Sequence, residues 1–409
     1  KFGANNKYGN FPSAALAYNI GNENFMKTIP WLSSLKVRTS YGTTGNTGID
    51  PYQTQGLLGS TAYDFNGVAA SGRYPNTIRN ENLKWESTAS LNGGIDFGFL
   101  NNRISGSFEA YRSTTTDLLL PRVLPNSTGF SSVLTNVGST RNTGFELTLS
   151  TRNIVSNTNG FEWTSDLIMA NNHEEILELS QGKVDDVGNA RFIGQPISVV
   201  YDYQKIGIWQ TGEEALAKQF SSSVGQIKIA DRNNNGKIDP DDRMILGSTT
   251  PKWTYSFNNY FSYKGFDLSI FLVARTGNLI SSTFHKVPNN SIALGGRYNG
   301  LNVDYWTPKN PTNNYPRPIY GQSGSPGPVF GSTLQWFDGS FLRVRNINLG
   351  YNVPASIAQK IKAKSLRVYV NITDPYIFSS YVHKYRGIDP EVNDNPATIN
   401  CQLGLNVKF

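Results

Sequence analysis

The last thirteen residues read Ala397-Thr-Ile-Asn-Cys-Gln-Leu-Gly-Leu-Asn-Val-Lys-Phe409. Ala397, Ile399, Cys401, Leu403, Leu405, Val407 and Phe409 are apolar, and every residue between them is polar or Gly. A period of two over that length is a β-strand with one apolar and one polar face. Strands of soluble sandwiches cluster at about 5–6 residues. A strand that crosses a bilayer needs about 9–11, apolar toward lipid, polar toward the lumen and aromatic at the interfaces. The final stretch has that length, that alternation and an aromatic end.

Ten earlier segments alternate in the same way: 11–20, 35–41, 89–99, a segment from 103, 145–150, 161–169, 253–263, 266–274, 347–353 and 366–372. Leu342 and Val344 fall out of phase with Ile347, Leu349 and Tyr351, which predicts a bulge near Arg345. The connections alternate too. The short set is Leu100-Asn-Asn, the stretch around Asn157 to Gly160, Lys264-Gly265, 21–34 and 354–364, the last with one or two helical turns from Ser356. Long ones are 43–87, 113–140, 175–251, 278–338 and 380–396. Structureless loops of that length argue against a compact domain. An outer-membrane barrel, with short turns inside and long loops outside, requires them. Phe97, Phe99, Phe161, Tyr263, Phe266, Tyr351 and Phe409 stand beside the short connections, as an interfacial girdle would.

The expected fold is therefore an all-β transmembrane antiparallel β-barrel. With the last strand running toward the periplasm, the first runs that way as well. An even-stranded barrel then needs an odd number of strands before residue 1. Composition agrees. Only 16% of residues are charged, 12% are aromatic, and 39 are Gly. The excess of 37 Lys and Arg over 30 Asp and Glu is mild and forms no basic stripe, which argues against nucleic-acid binding. Cys401 is the lone cysteine, so no internal disulfide exists. No apolar run is long enough for a transmembrane helix, a fact that does not bear on strands.

Several blocks of the chain resemble the SusC/RagA-type TonB-dependent outer-membrane importers. They are Leu35-Lys-Val-Arg-Thr-Ser-Tyr-Gly-Thr-Thr-Gly-Asn46, Asn82-Leu-Lys-Trp-Glu86, and Asp231-Arg-Asn-Asn-Asn-Gly-Lys-Ile-Asp-Pro-Asp-Asp-Arg243 with Ile245-Leu-Gly247. Pro251 to Leu268, Tyr305-Trp-Thr-Pro-Lys-Asn-Pro311, Gly339 to Tyr351 and Gly404-Leu-Asn-Val-Lys-Phe409 complete the series in family order. The resemblance implies that 1–409 is the C-terminal part of a 22-stranded barrel, about eleven strands of it, with the plug and first strands lying before residue 1. It implies a SusD-like lipoprotein lid and import of glycans or peptides energised by TonB. The terminal strand, through Leu405, Val407 and Phe409, would be read by the barrel-assembly machinery.

Within loop 175–251, residues 231–242 carry EF-hand-like spacing. Asp231, Asn233, Asn235, the Lys237 carbonyl, Asp239 and Asp242 fall at positions 1, 3, 5, 7, 9 and 12, with Gly236 at 6. A structural calcium ion is the expected cofactor. Position 12 is Asp, not Glu, and the flanks 226–229 and 244–246 read as strands, so an Asx-rich turn held by its own bonds is the competing reading. Trp209, Tyr305, Trp306 and Trp336 are candidate sugar platforms, since a flat ring suits the C–H face of a pyranose. Tyr315, Tyr320 and Phe337 are further loop aromatics of the same kind; loops of this length also need small cores of their own, a use open to all seven rings, and the prolines 308, 311, 316 and 318 stiffen one such loop. His173, His285 and His383 are dispersed, and Glu174, Glu175, Glu178, Asp185 and Asp186 read as a solvated acidic patch. No nucleophile elbow, P-loop or Cys/His cluster supports catalysis. Alternatives to the importer are a siderophore or cobalamin receptor and a calcium-stabilised surface binding protein.

Overall fold

A computed structural model describes residues 2, 6–156, 160–282, 285, 304–317, 329–392 and 395–409. The main sheet has eleven strands: β1 (Ser13–Tyr18), β2 (Leu32–Asn46), β3 (Glu86–Phe99), β4 (Ile104–Thr116), β5 (Ser139–Ile154), β6 (Glu162–Glu178), β7 (Trp253–Tyr263), β8 (Phe266–Thr276), β9 (Phe341–Asn352), β10 (Ser365–Phe378) and β11 (Asn400–Lys408). Each lies beside its sequence neighbours, so the spatial order is the chain order. The eleven alternating segments and the eleven strands correspond one to one. Most strands run longer than their alternation, because backbone ladder bonds continue where both faces turn polar near the loops.

The chain divides into two compact units, 1–150 with 170–197, and 151–169 with 198–409. In the second, register sets apolar side chains in rows on one face. One row runs Phe261, Leu268, Leu349, Val370, Leu403, and the next runs Tyr263, Phe266, Tyr351, Val368, Leu405. At the β11 end these rows are not buried by protein: Leu403 is 76% exposed and Leu405 65%. Cys401 is exposed on the same face. A sheet folded for water would hide this face, whereas a lipid-facing one displays it. Beside the short turns the rings cluster. Phe266 meets Tyr351 at 4.6 Å, Phe161 stacks on Phe261 at 6.2 Å, and the Lys264 ammonium lies over Tyr263.

In the first unit, Val37, Ile95 and Phe108 form an equivalent apolar row. Its polar face carries Arg38, which pairs with Asp96 at 3.3 Å and Glu109 at 2.9 Å. Gly94 lies beneath that guanidinium, and a Cβ there would come within 2.9 Å of it. In the second unit, Arg367 lies over Gly350 in the same way, bonding Asp267 and Asn348 on the polar face.

The turns follow from local chemistry. Leu100, Asn101 and Asn102 all take positive φ, as do Lys264 and Gly265 between β7 and β8. Paired positive φ values match the twist of a two-residue hairpin. The link from β9 to β10 holds helical turns at Ala355–Ala358 and Gln359–Ile361. The short connection around Asn157 to Gly160 lies outside the described residues at 157–159. The bulge near Arg345 is present: β9 slips register between Val344 and Asn346 against β10.

The long connections are not structureless. Ribbons pair Leu58–Phe65 with Val68–Pro75, and Leu119–Val123 with Ser132–Asn136. Others pair Val199–Tyr203 with Arg243–Ser248, Lys205–Ile208 with Ile227–Ile229, and Leu279–Ser281 with Trp336–Asp338. These internal ladders satisfy the backbone of loops that would otherwise be too long to order.

Candidate functional site

The loops of the second unit share a small apolar core of Ile208, Ile227, Ile229, Trp306, Tyr315 and Leu334. This core decides the fate of the candidate aromatics. Trp306 is 4% exposed and its Nε1–H donates to Gln210 Oε1 at 2.8 Å. Trp209 is 3% exposed, stacks on Phe220, and carries the Lys228 ammonium over its ring. Side chains so enclosed have no ring face to offer a sugar, so both act as loop core. Tyr305 differs: it is 45% exposed and lines a cavity. Trp336 is half-buried and lines a second cavity. Tyr320 and Pro318 lie outside the described residues.

The first cavity, about 560 Å³, is lined by Asp304, Tyr305, Thr307, Asn310, Lys384 and Arg386 among others. The second, about 510 Å³, is lined by Lys205, Thr333, Trp336, Phe337, Asp338 and Ser380 among others. Asn314, Tyr315, Lys384 and Tyr385 line both. Lys205 gives its ammonium to the Asn314 carbonyl, a neutral partner, and burial pushes its pKa down to about 8. Asp304 is held below the usual carboxylate range by donors from Thr312, Asn310 and Asn314. Burial pushes the Tyr315 phenol up. These cavities draw on 205, 304–315, 333–338 and 380–386, segments no local motif links.

The loop 231–242 closes on itself. Asn234 and Gly236 take positive φ. Asp231 accepts from the N–H groups of Asn235 and Gly236 at 3.2 and 2.9 Å, Asn233 from Asn235 at 3.0 Å, and Asn235 from Lys237 at 3.0 Å. Each accepting oxygen keeps a second lone pair, so the first turn of the loop suits a hard cation. The closing position is more enclosed. Asp242 is fully buried, and its two oxygens accept from the N–H groups of Arg232 and Asp239 at 2.8 and 2.9 Å. The Lys237 ammonium lies 3.0 Å from Asp239 and, with Asn235, lowers its pKa. Among the described residues no three or more of His, Cys, Asp and Glu converge at metal spacing. The flanks are strands, Ile227–Ile229 and Arg243–Ser248, as their sequence indicates.

Two polar clusters had no sequence signal. Arg343 is 2% exposed and bonds both oxygens of Asp389 at 2.7 Å, with Glu391 at 3.1 Å and Asp374 at 3.7 Å. Arg345 adds Asp374 at 3.0 Å and Glu391 at 2.7 Å. The network ties loop 380–396 to β9 and β10. Nearby, buried Ser282 Oγ lies 2.7 Å from His285 Nδ1 and 2.6 Å from the Tyr381 hydroxyl, while His285 Nε2 meets the Tyr385 carbonyl at 3.0 Å. Enclosed on every contact described, the trio braces the cavity wall. The acidic patch also resolves into structure: β6 runs through Glu174, Glu175 and Glu178, Glu175 pairs with Arg141 at 3.1 Å, and Asp186 caps a helical turn at Asn189.

Leu405, Val407 and Phe409 stand on the exposed apolar face at the end of the sheet.

Residues 1–373 match the family described as TonB dependent receptor-like, beta-barrel. A TonB-dependent receptor of Formosa agariphila is 35% identical over 100% of this chain and 43% of its own length. The TonB-dependent receptor SusC of Bacteroides thetaiotaomicron is 31% identical over 100% of this chain and 41% of its own. The RagAB peptide transporter structure superposes with a TM-score of 0.79 at 27% identity, covering 100% of this chain and 44% of that one. The chain thus spans less than half the length of these relatives. It belongs to the TonB-dependent receptor-like β-barrel family, as an outer-membrane, SusC/RagA-type member.

Proposed function

We propose that this chain is the C-terminal barrel portion of an active importer of large nutrients. Oligosaccharide or peptide would enter from outside, held under a SusD-like lipoprotein lid, with energy delivered by TonB. The observation that carries this reading is the pairing of a sheet with an exposed apolar face and long loops whose described segments line two polar, aromatic cavities. Peptide cargo draws support from the RagAB peptide transporter. Saccharide cargo draws support from the exposed ring of Tyr305 beside hydroxyl and amide groups. Purification of the full receptor from outer membranes should bring a surface lipoprotein with it in stoichiometric amount. A receptor that purifies alone under conditions preserving other membrane complexes would remove the lid from this reading.

Calcium is proposed as a brace of loop 231–242, held by Asp231, Asn233, Asn235, the Lys237 carbonyl and Asp239, with water completing the shell. Asp242 then serves to hold the ends of the loop together. Leu405, Val407 and Phe409 are proposed as the segment engaged by the barrel-assembly machinery.

A further inference from the structure

The two loop cavities carry more hydrogen-bond donors than their own acceptors use. Tyr315, 8% exposed, lines both, and its hydroxyl is buried without a partner among the described residues. Trp336 lines the second, and its Nε1–H is likewise buried without one. An unpaired buried donor destabilises a folded loop unless something else takes the bond. Cations stand beside these donors: Lys205, Lys384 and Arg386. The acids present are already engaged, Asp304 by Thr312, Asn310 and Asn314, and Asp338 by the Ser340 N–H. These neutral donors leave the carboxylate charge in place, but each cavity still sets two cations against one acid, Lys384 and Arg386 against Asp304 in the first and Lys205 and Lys384 against Asp338 in the second, so an anionic ligand balances the charge.

We propose, resting on the importer reading above, that these chambers bind an anionic oligosaccharide. A carboxylate or sulfate ester of the sugar would lie against Lys205 and Lys384 and accept from Tyr315 and Trp336. A pyranose ring would lie on Tyr305. Sugar is favoured over acidic peptide because Asn310 and Asn314 spend their amide N–H groups on Asp304 and keep their amide oxygens for ligand hydroxyls. Charge-assisted bonds from ammonium groups are about twice as strong as neutral ones, so selection by charge should be steep.

The test is calorimetry on the full receptor with its lipoprotein in detergent. The probes are oligogalacturonate, a sulfated galactan oligosaccharide, a neutral malto-oligosaccharide of equal length, and oligoglutamate. The expected result is that an anionic sugar binds at least tenfold more tightly than the neutral one. Lys205→Met and Lys384→Gln should each weaken it at least tenfold, with Lys205→Arg retaining most affinity as a check on folding. Tyr305→Ala should weaken charged and neutral sugars alike. Equal affinity for neutral and anionic sugars, binding by oligoglutamate in place of the sugars, binding by no probe, or indifference to both lysine changes would each overturn the proposal. A strain carrying Lys205→Met that grows normally on every anionic glycan requiring the receptor overturns the anion site alone. A receptor deletion that alters no uptake overturns the importer reading itself.

Discussion

Replacing Arg343 by Met should free the 380–396 loop from the sheet. Arg343 is almost wholly buried, and its guanidinium holds both oxygens of Asp389 at 2.7 Å. Met keeps most of the volume and removes the charge. Asp389 would then stay buried with only the Glu391 N–H at 2.8 Å as a described donor. Breaking one side of a buried pair costs about 3–5 kcal/mol. The low end applies, because Glu391 keeps Arg345 and an outlying Arg275 at 3.7 Å. About 3 kcal/mol corresponds to about a 150-fold rise in the local opening constant, at 1.36 kcal/mol per decade. Hydrogen exchange followed by mass spectrometry on peptides covering 385–392 reads that opening directly. The double variant Arg343→Met with Asp389→Leu should recover most of the protection, since an apolar pair replaces a buried ion pair at little cost. Unchanged exchange in the single variant, or a double variant as loose as the single, would refute the view that this network holds the loop.

Three further outcomes are expected. Anionic-ligand affinity should be full below about pH 8 and fall as pH rises through it, because the Lys205 ammonium is lost there; one unit above, the loss is about tenfold. Tyr315, Asp338, Lys384 and Tyr385 line the same chamber, and the Tyr315 phenol, pushed up by burial, stays protonated across this range. Lys205→Met should flatten the profile, and a calorimetric pH series that stays sloped in that variant would assign it elsewhere. Calcium at about one hundred times its dissociation constant should add about 2.7 kcal/mol to loop 231–242. Exchange on 230–243 should slow accordingly and respond to chelator, with Asp231→Ala abolishing the response; identical exchange with calcium and with chelator would remove the ion. Gly106→Ala places a methyl 2.1 Å from the Thr148 carbonyl oxygen on the neighbouring strand, so backbone must shift. At about 1–3 kcal/mol for overpacking, the folded fraction on heat-modifiability gels should drop, and a wild-type gel pattern would show that the sheet yields there.

The sheet was legible because its code is local. Period-two alternation in 253–263 or 366–372 needs no distant partner to be read, and the slip at Leu342 and Val344 located the bulge at Arg345. Strand lengths were less legible. Ser139 to Asn142 carry no alternation, yet they extend β5 because the backbone ladder, blind to side chains, continues there. The site was legible only in its parts. Trp209 and Trp306 look the same in sequence as Tyr305, and tertiary packing alone separates core rings from an exposed one. Arg343 and Asp389 stand 46 residues apart, and Lys205 meets the Asn314 carbonyl across 109. No periodicity encodes such meetings, which depend on how several loops fold together.

The proposed role is carriage of large cargo across the outer membrane by the full receptor. Uptake of fluorescently labelled anionic and neutral oligosaccharides and peptides, measured in cells with and without the full receptor, tests it most directly. Deletion should abolish entry of at least one large cargo while small porin-permeant solutes enter as before, and the full gene should restore it. Cells without the receptor that take up every cargo at the wild-type rate would contradict it.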